Sequence, residues 1–170
     1  MDKGLMHLYW GDGKGKTTAA MGLAVRALGQ GLRVTVVQFL KSGTSGELES
    51  LRTLGATVYS GKFGNHFFSK MSPEEQRENR ELYSSFLSEI LENTGDLLIL
   101  DEACGVWEYD LVDRDLLRRT VEGRPAGLEV VLTGRHPADW MLEQADYITE
   151  MRCHRHPYEQ GIAARKGVEF

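Results

Sequence analysis

Short apolar runs recur along this chain between longer stretches whose apolar positions fall at helical spacing. The runs at residues 5–10, 33–39, 57–60, 97–101, 129–133 and 147–151 read as strands. Val34, Val36, Val37 and Phe39 mark the second as buried, whereas the third is weaker. Between them, residues 17–28 form an Ala-rich helix that Gly29 and Gly31 terminate, and 46–54 a short helix. Ser72-Pro73-Glu74-Glu75 is a capping box with proline at the first helical position, so a long helix starts there. Its stripe of Leu82, Tyr83, Phe86, Leu87, Ile90 and Leu91 is expected to face the core. A helix near 113–121 is closed by Gly123 and Pro125, and another follows Pro137. Strand and helix alternate without internal repeat or low-complexity linker. The pattern predicts an α/β fold with a mostly parallel sheet of about six strands flanked by helices.

In such sheets ligands collect at the carboxyl ends of the strands, so the residues after each run carry the chemistry. After the first run comes Gly11-Asp12-Gly13-Lys14-Gly15-Lys16-Thr17-Thr18, leading directly into the helix. Glycines let backbone N–H groups converge on phosphate oxygens, and the helix N-terminus adds partial positive charge. Lys16 neutralises phosphate charge and the Thr17 hydroxyl can hold Mg²⁺. The spacing departs from G-x-x-x-x-G-K-[ST], because Trp10 stands where the first glycine belongs. The loop therefore reads as a variant phosphate cradle in a P-loop NTPase-like domain. The fourth run ends in Asp101-Glu102 and resembles a Walker B element. One carboxylate can position the water shell of Mg²⁺, and the other can bind that metal or orient a nucleophile. The remaining strand ends offer Gln38 and Lys41, Thr133-Gly134-Arg135, and Thr149-Glu150. Arg135 is either a clamp on phosphate or an ordinary surface arginine.

With 170 residues, 41% of them hydrophobic, the chain can bury one core and is too short for two ordinary domains. A single domain over residues 1–170 is expected. The 25 acidic against 20 basic side chains argue against a nucleic-acid partner and suit a small anion gripped by a few placed cations. No run approaches a membrane span, and residues 1–4 lack the apolar region of a signal peptide, so a cytoplasmic protein is expected. Two cysteines, Cys104 and Cys153, suit a reducing compartment. Cys153 with His154 and His156 reads as loop rather than metal cluster.

Several segments together resemble the P-loop type of ATP:corrinoid adenosyltransferase. They are residues 11–20, Val37-Gln38-Phe39-Leu40-Lys41, Leu100-Asp101-Glu102, Leu132-Thr133-Gly134-Arg135 and the tail from His156-Pro157 through Gly161, Ala164-Arg165 and Gly167-Val168-Glu169-Phe170. The resemblance covers nearly the whole chain and implies a RecA-like domain. It implies transfer of the 5′-deoxyadenosyl group of ATP to Co(I) of a corrinoid, with triphosphate leaving, in adenosylcobalamin synthesis or salvage. On that basis Gly11, Asp12, Gly13, Lys14, Gly15, Lys16, Thr17 and Thr18 hold ATP, with Arg26 and Arg135 near the nucleotide. Thr17 and Glu102 take Mg²⁺, supported by Asp101, and Lys16, Glu102 and Arg135 are the catalytic set. An external reductant such as a reduced flavoprotein and a homodimer are also implied. Phe63, Phe67 and Phe68 are candidates for the corrinoid pocket or for a hydrophobic lid; His66 reads as a loop residue. The first strand begins without the N-terminal extension of longer relatives, so corrinoid access is expected to be more open or completed by a partner subunit. A P-loop kinase or ATPase would use the same loop and carboxylates, and a non-catalytic corrinoid or nucleotide carrier would bind without turnover.

Overall fold

The computed structural model describes residues 3–41, 45–61 and 71–168. Six strands, β1 (Met6–Trp10), β2 (Val34–Gln38), β3 (Thr57–Ser60), β4 (Leu97–Asp101), β5 (Glu129–Gly134) and β6 (Tyr147–Glu150), form one sheet. Its order is β3-β2-β4-β5-β1-β6 and every pairing is parallel. Side chains alternate across a strand, so β4 sends Leu98 and Leu100 into one apolar cluster and Leu97 and Ile99 into the other. Both faces are thus covered, which is why β4 is apolar up to Asp101 and β2 and β4 are buried at every position.

Helices α1 (Lys16–Gly29) and α2 (Gly46–Thr53) cover one face through Ala20, Met21, Ala24, Leu48 and Leu51. The other face carries α3 (Pro73–Glu92), α4 (Ala103–Glu108), α5 (Arg114–Glu122) and α6 (Asp139–Gln144). The capping box opens α3 as expected: Ser72 Oγ accepts from the Glu75 N–H at 3.2 Å, and Glu75 Oε2 accepts from the Ser72 N–H at 2.7 Å. The stripe of α3 is narrower than the spacing suggests. Tyr83, Leu87 and Ile90 are buried, whereas Leu91, at the last turn, is 45% exposed.

One element, α4, is not foreseen by the sequence pattern. Its six residues are too few for a periodic stripe, and no side chain caps it. It starts straight from Glu102, whose backbone lies in the left-handed region at φ 64°.

Candidate active site

Because all strands run the same way, the ends of β1, β2, β4 and β5 meet at one edge, where a cleft of about 770 Å³ opens. Asp12, Gly13, Lys14, Gly15, Lys16, Thr17 and Thr18 line it, as do Lys41, Glu102 and Arg135. Gly11 is buried beneath the loop. Arg26 lies on the exposed side of the last turn of α1, outside the cleft lining. Phe63, Phe67, Phe68 and His66 fall outside the described residues.

Gly15 caps α1 at φ 116°, a backbone that a side chain would strain, and so aims the first turn of the helix into the cleft. Gly13 answers a different need. A Cβ there would stand 2.7 Å from the Met151 carbonyl oxygen, because the chain leaving β6 folds back against the loop. The Gly13 N–H donates to that same oxygen at 2.7 Å. Asp12 belongs to this seam as well: its Oδ1 accepts from the Cys153 N–H at 2.9 Å, which holds its carboxyl below the usual range. Trp10 is half-buried and packs on the core beneath the sheet edge, leaving Gly11 (φ 111°) to make the turn that the usual first glycine begins.

Asp101 is the centre of the site and is fully buried. Its Oδ1 accepts from the Thr17 hydroxyl at 2.8 Å and the Thr133 hydroxyl at 2.7 Å. Its Oδ2 accepts from Gln38 Nε2 at 3.2 Å and Lys41 Nζ at 3.0 Å. Strand order explains the company: β4 lies between β2 and β5, and Gln38 is in register with Asp101. The sequence shows Gln38, Lys41 and Thr133 only as polar residues closing apolar runs, a signal that gains meaning once the neighbours of β4 are known.

Glu102 turns its side chain to the cleft, and burial and then Asp101 push its carboxyl upward, opposed by Lys41, Lys16 and Arg135. Burial likewise pushes the Lys16 ammonium downward, opposed first by Glu102. Lys16 Nζ donates to the Gly13 carbonyl at 2.7 Å, curled over the loop. A polyanion with a divalent cation would relieve both groups.

The donors suit a hard cation: a hydroxyl and carboxylates converge, and no group of three or more His, Cys, Asp or Glu forms a dedicated cage among the described residues. Gln38 Oε1 is buried with no partner among the described residues, while its amide nitrogen is fixed by the carboxylates of Glu47 and Asp101. That oxygen keeps its capacity to accept a hydrogen bond.

A family model described as ATP:corrinoid adenosyltransferase BtuR/CobO/CobP matches residues 2–170. The chain belongs to that family. It is similar to a corrinoid adenosyltransferase of Pseudomonas aeruginosa, 34% identical over 173 residues that span 99% of this chain and 85% of the relative. The corrinoid adenosyltransferase of Escherichia coli K12 is 31% identical over 171 residues, 99% of this chain and 87% of its own. That of a Sinorhizobium species is 32% identical over 174 residues, covering 99% and 81%. The chain is accordingly a transferase that moves an adenosyl group from ATP to a corrinoid.

Proposed function

We propose that the residues from Gly11 to Thr18 hold the triphosphate of ATP, and that Thr17 and Glu102 hold Mg²⁺ while Asp101 orients Thr17. The 2.8 Å hydrogen bond from Thr17 to Asp101 carries this reading, because it locks the start of α1 to the acidic strand end. Asp101 has Oδ1 filled by the Thr17 and Thr133 hydroxyls and Oδ2 held by Gln38, so it acts through Thr17 rather than as a ligand itself. Mg²⁺ would supply charge neutralisation to the departing triphosphate.

In the transfer, the electron pair of Co(I) forms the new bond to C5′ of the ribose, and the C5′–O bond pair leaves with the triphosphate. Reduced cobalt is itself the nucleophile, so the protein needs none. Its task is to bind, orient and stabilise the charge that grows on the leaving group. Lys16 and Arg135 flank the cleft and serve that charge, with Lys16 leaving the Gly13 carbonyl for phosphate oxygen. The proposal includes an external reductant such as a reduced flavoprotein, a homodimer and a cytoplasmic setting. The two free cysteines accord with a reducing compartment. No helix among the described residues is long and apolar enough to cross a membrane.

Lys16→Ala tests the phosphate site. With chemically reduced corrinoid and MgATP under anaerobic conditions, its kcat/KM should fall about 10²-fold or more. Undiminished transfer by the folded variant would remove the loop from the reaction.

A further inference from the structure

Lys41 stands where a metal ion would be expected. Its Nζ lies 3.0 Å from Asp101 Oδ2 and 3.2 Å from Thr17 Oγ1. Asp101 has no exposed surface, and a buried carboxylate is tolerable only with a countercharge and hydrogen bonds. Lys41 supplies that charge. It does so, however, by occupying Thr17, the same hydroxyl assigned to the divalent cation. Thr17 Oγ1 gives its proton to Asp101 and one lone pair to Lys41, leaving a single lone pair. A divalent ion on that lone pair would sit within a few ångströms of the ammonium. The two cations repel.

The ammonium has somewhere to go. The Lys41 side chain is 30% exposed and lines the cleft, as do Lys16 and Arg135. Its long stem needs only rotamer changes to carry the head from Asp101 to a triphosphate.

We propose that Lys41 is an exchangeable countercharge. It holds Asp101 and Thr17 together before a metal binds, gives way when a divalent cation coordinates Thr17, and then turns its ammonium to the triphosphate. Lys41 is a positioning residue toward the metal and a phosphate contact afterwards. The proposal rests on the reading of this edge as a metal–triphosphate site and needs nothing from the corrinoid.

The test uses Mn²⁺ alone, titrated into the full chain and its Lys41→Met variant with free ion followed by electron paramagnetic resonance. Removing the competitor should tighten Mn²⁺ binding about fivefold or more, and Mn²⁺ should raise the melting temperature of the variant by more than that of the parent. In the unaltered chain, which needs no variant to fold, Mn²⁺ should increase acylation of the Lys41 amine relative to Lys14, and further addition of ATP should lower it. Equal or weaker Mn²⁺ affinity in folded Lys41→Met, or acylation indifferent to Mn²⁺, would overturn the exchange while leaving the metal site standing. No Mn²⁺ bound by either protein would overturn the metal site and the exchange together.

Discussion

Asp101 and Glu102 are adjacent carboxylates with opposite circumstances. Asp101 is fully buried yet satisfied by two hydroxyls, an amide and an ammonium, which is what lets a charge persist inside the sheet. Glu102 is held in a left-handed backbone by its N–H to Thr133, at 2.9 Å, and by the helix that follows. Its carboxyl is pushed up by burial and by Asp101. A raised folded value means the native state binds the proton more tightly than the unfolded chain. The destabilisation is therefore absent below the ordinary carboxylate range, about pH 4, and grows as the pH rises through the folded value. Glu102→Gln should accordingly melt higher than the parent at about pH 8, with the gap shrinking toward about pH 4, while adenosyl transfer falls. Thermal melts across that pH range check it; a variant that melts lower throughout would contradict the origin given for the shift. Stability surrendered at one residue is what the proposed cation site would entail.

Among the elements, the phosphate loop and the chain leaving β6 act as one unit. Gly13→Ala would press a methyl group against the Met151 carbonyl and break the seam, so stability should drop by about 1–3 kcal/mol and ATP should bind more weakly. Gly22→Ala, in the middle of α1 with nothing within 4 Å of its Cβ, should instead stabilise by about 0.5–1 kcal/mol. Denaturant titrations of the pair separate a glycine kept for close approach to backbone from one whose Cβ would meet no protein atom. The sequence marks Gly13 as a loop glycine but not its contact with Met151, which joins residues far apart along the chain. The central strands were legible since both faces are covered and their runs are mostly apolar. The long helix α3 was legible from Ser72 and Glu75. Short α4 was not, as Glu102 forces its start through backbone geometry that no residue pattern announces.

At the scale of the whole molecule, function follows from strand order. Placing β5 between β4 and β1 lets α1 lean across the sheet so that Thr17, just past β1, reaches Asp101 at the end of β4. The loop and the acidic strand end were both readable as chemistry, since each is a local string. Their meeting, and the recruitment of Gln38, Lys41 and Thr133 from either side of β4, depends on an order that the chain does not spell out. On the proposed reading this edge expels triphosphate rather than transferring a terminal phosphate. Mixing the protein anaerobically with MgATP and cob(I)alamin, and following the corrinoid spectrum and phosphate products together, tests it most directly. Light-sensitive adenosylcobalamin formed with stoichiometric triphosphate is the predicted result; ADP and phosphate beside an unmodified corrinoid would contradict it.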